Sequence, residues 1–402
     1  MGYCSTTPMS ETYAEVPQSE TTSRATRLQS LLRSEGLDGA ILMSVAELYY
    51  YSGIGSPGVV YIPAEGEPVR LSERNLDLVK TYSPLTDIRP QDRLSMLFET
   101  LNVDSASHVA IEGDVMPFSL VTFLQSKAKD TRLVDGSNLF RQIRSVKSDY
   151  EIDLMQKAAT LVDESFEYCT EIADPDMTEI DLALRLDSWM VERGHAGFIT
   201  TRAFNNAMVQ YSYVVSSGGS TLNTYFTPIS GQGLSLKYTF GSTRRKLGRN
   251  RPFIVDTVGN CQGYLSDTSR TFVCGQFAPE LRDQLDALGQ IKELITRSMK
   301  PGNNLGELHS EVMNLSEELG IHENFMGTSS DKVVFLGHGV GLELDELPVF
   351  YSKGPNLSLG NTLASEPKII IPGESLLGIE DTYAITEEGH KILSRAHADF
   401  EI

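Results

Sequence analysis

The sequence has few basic residues and no long apolar run, and each shortage excludes a class of protein. Its 402 residues include 34 Lys and Arg against 54 Asp and Glu, which gives a formal net charge of −20. Nucleic-acid binding needs a basic surface, so we expect no nucleic-acid partner. The longest apolar runs are well short of the roughly 20 residues that cross a bilayer, so we expect no membrane span.

Cysteine is also scarce. The four cysteines are Cys4, Cys169, Cys261 and Cys274. No two of them form a CxxC motif, and they are too few and too scattered for a disulfide framework. This usage is typical of reduced thiols, and we therefore expect a cytoplasmic protein.

The chain is long enough for two domains, and its pattern of elements changes near residue 148. Residues 1–24 are rich in Ser, Thr and Glu and are predicted to be a flexible tail. Residues 25–147 alternate helix and strand patterns, as in RLQSLLRSEGLDGAILM. A capping box, SDYE, opens the segment 148–402, where the order helix, helix, strands occurs twice. An internal repeat and ordinary α+β alternation both explain that order.

Two aspartates interrupt the apolar strands of FIVDTVGNCQGYLSDTSRTF, residues 253–272. A buried carboxylate without a partner is costly. A hairpin turn centred between Cys261 and Gln262 would place Asp256 directly opposite Asp267 on one face of a sheet. Two carboxylates in that arrangement repel each other, and a bound cation would compensate them.

A second hairpin presents a second pair of carboxylates. In ASEPKIIIPGESLLGIED, a turn centred on Gly373 would pair Glu366 with Glu380. Four carboxylates on neighbouring strands predict a site for divalent cations such as manganese, and bridging carboxylates can hold two ions. His338, between two glycines in GHGVGL, could supply an imidazole ligand. A lone histidine is more often a surface or core residue, and both interpretations stay open from the residues alone.

With these five residues in this order, the chain resembles the pita-bread metallohydrolases. That family includes Xaa-Pro aminopeptidases, prolidases, methionine aminopeptidases and creatinase, and the likeness is closest to Xaa-Pro aminopeptidase-like proteins. RLQSLLRSEGLDGAILMSVAELYYYSGI resembles the start of the creatinase N-terminal domain, and LFRQIRSVKSDYEIDLMQKAATLVD resembles the junction with the catalytic domain. The resemblance implies an α+β protein with a creatinase-like α/β N-terminal domain at 25–147 and a pita-bread C-terminal catalytic domain at 148–402.

The resemblance also implies a set of metal ligands, namely Asp256, Asp267, His338, Glu366 and Glu380. Asp267 and Glu380 would bridge two divalent ions; manganese is expected, with iron, cobalt or zinc as alternatives. A hydroxide bridging the ions would attack a peptide carbonyl, and Glu366 would pass a proton to the leaving nitrogen. We thus expect a dinuclear metal-dependent hydrolase that cleaves peptide bonds as Xaa-Pro aminopeptidase or prolidase does, working as a cytoplasmic homodimer.

The chain departs from the family pattern outside the metal ligands. In place of a histidine after an SG turn, the stretch SSGGSTLNTYFTP has Tyr225 or Thr224. In place of a histidine seven residues after the metal-binding one, DELP has Asp345, and Gly378 stands where the family often has arginine. A carboxylate donates no hydrogen bond unless protonated, so Asp345 would pair with a substrate cation or act as a base. Tyr225 and Asp345 therefore join Glu366 as catalytic candidates.

These departures keep alternatives open. The first is a metal enzyme of the same fold, hydrolase or lyase, that acts on a non-peptide amide or a cationic small molecule. The metal-dependent dimethylsulfoniopropionate lyases resemble this chain in having Asp at the position of Asp345. The second is an idle domain that only binds partners, which the complete ligand set disfavours.

Overall fold

The chain divides into two compact units, with the boundary between Ile143 and Arg144. The computed structural model describes residues 14–104, 106–202, 211–217, 227–328, 331–371 and 375–402. Helix α1 begins at Gln18, inside the stretch 1–24 that composition predicts to be a tail. The difference arises because Thr21 and Arg24 are buried, which anchors the first turns of this helix.

The first unit is built around one six-stranded sheet. Its helices are α1 (Gln18–Ser34), α2 (Val45–Ser52), α3 (Leu76–Tyr82), α4 (Leu97–Thr100), α5 (Phe118–Lys127) and α6 (Ser137–Ser145), which runs past the boundary. Its strands are β1 (Gly39–Leu42), β2 (Gly58–Pro63), β3 (Val69–Ser72), β4 (Asp87–Pro90), β5 (His108–Ile111) and β6 (Arg132–Asp135). The strand order is β4-β3-β2-β1-β5-β6, and the consecutive strands β2 and β3 are antiparallel. Apolar side chains such as Ile41, Val109 and Leu124 form its core.

The second unit contains two pairs of helices. The first pair is α7 (Asp149–Ile172) and α8 (Glu179–Val191), and the second is α9 (Pro279–Ser298) and α10 (Leu305–Glu318). The predicted capping box is present at the start of α7, where Ser148 and Glu151 bond each other's backbone N–H groups. Apolar residues of the first pair of helices are buried, including Val162, Phe166 and Leu186.

Strands follow each pair of helices, in the order that the sequence predicts. After the first pair come β7 (Ser212–Ser216), β8 (Pro252–Cys261) and β9 (Tyr264–Val273). After the second pair come β10 (Gly327–Thr328), β11 (Asp331–Lys332), β12 (Phe335–Gly339), β13 (Glu346–Tyr351), β14 (Thr362–Ser365), β15 (Lys368–Ile371), β16 (Ser375–Gly378), β17 (Asp381–Thr386), β18 (Gly389–Ile392) and β19 (Asp399–Glu401).

These strands form two main sheets and two small hairpins. One main sheet has the order β19-β9-β8-β7 and packs against α7 and α8 through residues such as Phe166 and Val255. The other has the order β13-β12-β14-β17-β18 and packs with α9 and α10 through residues such as Ile291 and Leu363. The small hairpins are β10–β11 and β15–β16, and Ile370 and Leu376 of the latter pack against Ile254 of β8.

The β8–β9 hairpin closes with a two-residue turn at Gln262 and Gly263. Both have positive φ, +52° and +89°, and Cys261 is paired with Tyr264. This is the backbone of a type I′ turn, which matches the twist of the strands that it joins. The expected turn centre between Cys261 and Gln262 is therefore wrong by one residue.

Cys169, Cys261 and Cys274 are free thiols. Among the residues that the structure describes, no helix combines the length and apolar character that a bilayer crossing requires.

Candidate metal centre

Asp256 and Asp267 lie on the same face of the β8–β9 hairpin, but they are not directly opposite each other. Asp256 is paired with Ser269, and Asp267 is paired with Val258. The direct pairing expected from the sequence is wrong, because the turn lies one residue further along the chain. Moving a hairpin turn by one residue preserves the face of every side chain, so the two aspartates remain diagonal neighbours.

The expected register of the second hairpin is confirmed. Lys368 is paired with Gly378 and Ile371 with Ser375, while the turn residues 372–374 lie outside the described residues. Glu366 and Glu380 flank the end of this ladder, where Ile379 N–H donates to Pro367 O at 3.2 Å. Both glutamates are buried. The hairpin therefore brings the second pair of carboxylates together.

His338 lies on β12 between β13 and β14. A Cβ at Gly337 would lie 2.1 Å from Ala364 O, and one at Gly339 would lie 2.3 Å from Leu347 O. The flanking glycines thus let β12 pack closely between its neighbours. Nδ1 is 3.1 Å from Gly339 O. Because a carbonyl oxygen only accepts, Nδ1 carries the proton, and the lone pair of the neutral ring is on Nε2.

Asp267, His338 and Glu380 converge on one point. Ligand atoms from the three side chains all lie within 4.8 Å of one another. His338 Nε2 is 3.8 Å from Asp267 Oδ2 and 3.9 Å from Glu366 Oε1, and both distances are too long for hydrogen bonds. Asp267 Oδ1 has no hydrogen-bond partner among the described residues, although it is buried.

The pKa values of these groups respond to their crowding. Burial raises the pKa of Asp267 well above its usual range, and the Glu380, Asp256 and Glu366 carboxylates raise it further. Burial also raises the pKa of Glu380 to about 8, although the Lys368 ammonium lowers it. Without a cation the two carboxyls resist ionisation, and a divalent ion would replace their protons.

Lys368 contributes a positive charge to the same cluster. Its Nζ donates to Glu366 Oε2 at 2.8 Å, to Asp256 Oδ2 at 2.9 Å and to Glu380 Oε2 at 3.4 Å. Burial lowers the pKa of Lys368, but the Asp256, Glu366 and Glu380 carboxylates outweigh it and raise the pKa well above the usual range. The side chain is therefore an ammonium within the set of predicted ligands.

Asp256 has a further partner on the neighbouring strand. Tyr213 of β7 is paired with Asp256, and its hydroxyl donates to Asp256 Oδ2 at 2.8 Å. Burial and the Asp256 carboxylate raise the pKa of the Tyr213 phenol well above its usual range, so the hydroxyl keeps its proton. One oxygen of Asp256 thus accepts hydrogen bonds from both Tyr213 and Lys368.

Neighbouring side chains hold the ligand-bearing strands in place. Thr382 Oγ1 exchanges hydrogen bonds with the backbone N–H and C=O of Asp267, at 3.0 and 2.9 Å. Arg270 donates to Glu380 O and, at 2.6 Å, to Asp381 Oδ1. Lys292 also contacts Asp381, at 2.5 Å. Asp381 is therefore compensated by two cationic side chains, unlike the adjacent predicted ligand Glu380.

Among the other catalytic candidates, Asp345 lies beside the cluster. Its Oδ1 is 3.9 Å from His338 Nδ1, and 46% of its side chain is exposed. Glu366, buried and bonded to Lys368, is inside the cluster. Tyr225 and Thr224 lie outside the described residues.

The donor set fits divalent metal ions. Four carboxylates, one imidazole with its lone pair on Nε2, and the unsatisfied oxygen of Asp267 supply hard and borderline ligands. Four ionised carboxylates against one ammonium leave a deficit of three positive charges, which a divalent cation reduces. Without a metal ion, the raised pKa values of Asp267 and Glu380 mean that protons take the place of that positive charge.

The sequence reasoning missed Lys368, although the signal was present. The expected register of the second hairpin already places Lys368 two residues from Glu366, and alternate residues of a strand share a face. A lysine ammonium has no lone pair to offer a metal ion, so the search for metal ligands in the sequence does not select Lys368. Tyr213 has no comparable signal, because its pairing with Asp256 joins two strands that are far apart in the sequence.

Comparisons with known proteins agree with this arrangement. The model of metallopeptidase family M24 matches residues 153–387, and the model of the creatinase/prolidase N-terminal domain matches residues 24–146. A Xaa-Pro dipeptidase from Pyrococcus furiosus is 23% identical over 380 residues, which cover 94% of this chain and 99% of that protein.

Solved structures show the same fold. A Xaa-Pro dipeptidase from Bacillus anthracis has a TM-score of 0.79 at 21% identity, covering 95% of this chain and 99% of the other. An X-Pro aminopeptidase from Thermotoga maritima has a TM-score of 0.77 at 22% identity, covering 94% and 99%. At this level of identity the likeness establishes the fold, and the chemistry is argued from the site.

Proposed function

Because the chain belongs to metallopeptidase family M24 and is a metal-dependent hydrolase, we propose that it cleaves the bond before proline in short peptides. The observation that carries the proposal is the convergence of Asp267, His338 and Glu380, with an unsatisfied buried oxygen on Asp267. Two relatives that are named Xaa-Pro dipeptidase support this choice of substrate.

We propose that Asp256, Asp267, His338, Glu366 and Glu380 would hold two divalent metal ions. Bound divalent ions supply Lewis acidity and activate water. Manganese is the proposed metal, since four of the five ligands are carboxylates. The Nδ1–H bond to Gly339 O would fix the ring of His338 with Nε2 towards the ligands.

Glu366 is the proposed carrier of the proton that the leaving nitrogen must receive. Its Oε1 is 3.9 Å from His338 Nε2 and its side chain is buried, so the carboxylate lies among the proposed metal ligands. Burial of the cluster would exclude bulk water from this transfer. Asp345, half exposed beside His338, is proposed to contact the substrate, and Tyr225 remains a proposed catalytic residue.

One observation favours a second candidate function. Asp345 presents a carboxylate where the related peptidases have a hydrogen-bond-donating histidine, and it is exposed enough to pair with a cation. The second candidate is therefore hydrolysis or lysis of a cationic small molecule or a non-peptide amide at the same centre.

For the cellular setting, we propose a cytoplasmic homodimer. The free thiols of Cys169, Cys261 and Cys274 support a reducing compartment. The dimer rests on the family resemblance alone, and light scattering on the purified protein tests it.

The test is release of the N-terminal amino acid from a panel of Xaa-Pro di- and tripeptides by manganese-loaded protein. We expect release that a chelator abolishes and that Xaa-Ala peptides do not give. An Asp345→His variant, which restores the donor of the related peptidases, should cleave the same peptides at least as fast. No release by protein that holds manganese would reject the Xaa-Pro substrate and favour the second candidate.

A further inference from the structure

The ammonium of Lys368 occupies a position among the proposed metal ligands, where it can affect the binding of metal ions. Its ammonium hydrogen-bonds to three of the five proposed ligands, Asp256, Glu366 and Glu380. The side chain is 1% exposed, so water does not screen it from them. A cation is therefore already present on one side of the cluster, as part of the protein.

The fold makes room for this lysine. Lys368 on β15 is directly opposite Gly378 on β16. A Cβ at Gly378 would lie 2.8 Å from Lys368 Cγ and 3.1 Å from Ile254 Cδ1. Gly378 does not have a positive φ, so space rather than backbone conformation requires a glycine there. The absence of a side chain at Gly378 therefore leaves the space that the buried side chain of Lys368 occupies.

The cluster has two unequal sides. On one side, Asp267, His338 and Glu380 bring ligand atoms within 4.8 Å of one another. On the other side, Asp256 Oδ2 accepts from both Tyr213 and Lys368, so its lone pairs are already used. On the first side the ammonium reaches Glu380 Oε2 at 3.4 Å, whereas on the second side it reaches Asp256 and Glu366 at 2.9 and 2.8 Å, so it competes more strongly with a metal ion on the second side.

We propose that Lys368 is a built-in cation that competes with one of the two metal ions. The first divalent ion binds at Asp267, His338 and Glu380. A second ion binds only by displacing the ammonium from Asp256 and Glu366, so the two ions load in sequence with widely separated affinities. The inference rests on the proposed metal-dependent function of the same site.

The test is a titration of the metal-free protein with Mn²⁺, followed by electron paramagnetic resonance and by the amount of bound metal. The first equivalent should bind tightly with a mononuclear signal, and the second should bind at least 100-fold more weakly. In Lys368→Met, which keeps the length of the side chain without its charge, the two affinities should come within about tenfold. A spin-coupled signal should then appear at two equivalents.

Lys292→Met is the matched control. It removes an ammonium from Asp381, a buried carboxylate next to Glu380 that is not a proposed ligand. We expect this variant to keep the wide separation of the two affinities. Gly378→Ala is a second variant. It keeps every proposed ligand and Lys368, but its Cβ would be too close to Lys368 Cγ, so the lysine side chain must shift. Gly378→Ala should strengthen binding of the second ion. It provides the test if Lys368→Met does not fold.

Two ions bound with equal affinity by the natural protein would overturn the inference and leave the proposed function intact. The same holds if Lys368→Met and Gly378→Ala both bind metal as the natural protein does. No bound ion at any concentration would overturn both proposals. Peptide cleavage plays no part in these measurements, so failure of the Xaa-Pro substrate is distinguished from failure of this inference.

Discussion

Glu346 shows how a buried carboxylate is compensated within the protein itself. It contacts Arg144 and accepts from Lys147 Nζ at 2.8 Å, and all three side chains are nearly fully buried. Burial raises the pKa of Glu346, but Arg144 and Lys147 outweigh it and lower the pKa to about 2. Asp267 differs, because burial and the neighbouring carboxylates raise its pKa, as is expected of a carboxylate proposed to bind a metal ion.

We expect Glu346→Gln to destabilise the protein by about 3 kcal/mol, because it removes a buried carboxylate that pairs with Lys147 and with Arg144, which also contacts Glu343. The folded pKa lies below the unfolded one of about 4.5, so this stability is present above about pH 4.5 and is lost as the pH falls towards 2. The difference in free energy of unfolding between variant and natural protein should follow that window in denaturant titrations. Glu387→Gln, at an exposed position, is the control, and an equal effect at both positions would contradict the account.

At the scale of elements, the β8–β9 hairpin sets the position of two proposed ligands. Its turn needs positive φ at both Gln262 and Gly263, and a side chain at the second position is strained there. We expect Gly263→Ala to destabilise the protein by about 1 kcal/mol. Gly289→Ala, in the middle of α9 where a Cβ meets nothing within 4 Å, should instead stabilise it by about 0.5–1 kcal/mol. Thermal unfolding of both variants checks the opposite signs.

The two hairpins also show how far sequence reasoning reaches. The strands and the face of each acidic residue followed from alternation, which survives a shift of the turn by one residue. The exact pairing of Asp256 could not be predicted from alternation, because it depends on which turn residues adopt positive φ. The QG dipeptide is a weaker turn signal than NG or DG. Lys368 follows from the correct register of the other hairpin, whereas Tyr213 depends on a tertiary strand pairing without a local signal.

For the whole molecule, the order of elements was predictable and the packing was not. The repeated helix, helix, strands order appears as two helix pairs, each packed on its own sheet. The site lies in the second unit, where strands β8, β9, β12 and β17 and the β15–β16 hairpin bring distant ligands together. Only tertiary structure places His338 beside Asp267, because the intervening 70 or so residues contain two helices and several turns.

The central claim is that divalent ions compensate the buried carboxylates, and the measurement that tests it most directly is the midpoint of thermal unfolding with and without Mn²⁺. At about 100 times the dissociation constant, an ion that binds only the folded state adds about 2.7 kcal/mol, or roughly 5 °C. We expect that increase for the natural protein, its reversal by a chelator, and its loss in Asp267→Asn. An unchanged midpoint in the natural protein at millimolar Mn²⁺ would contradict the account.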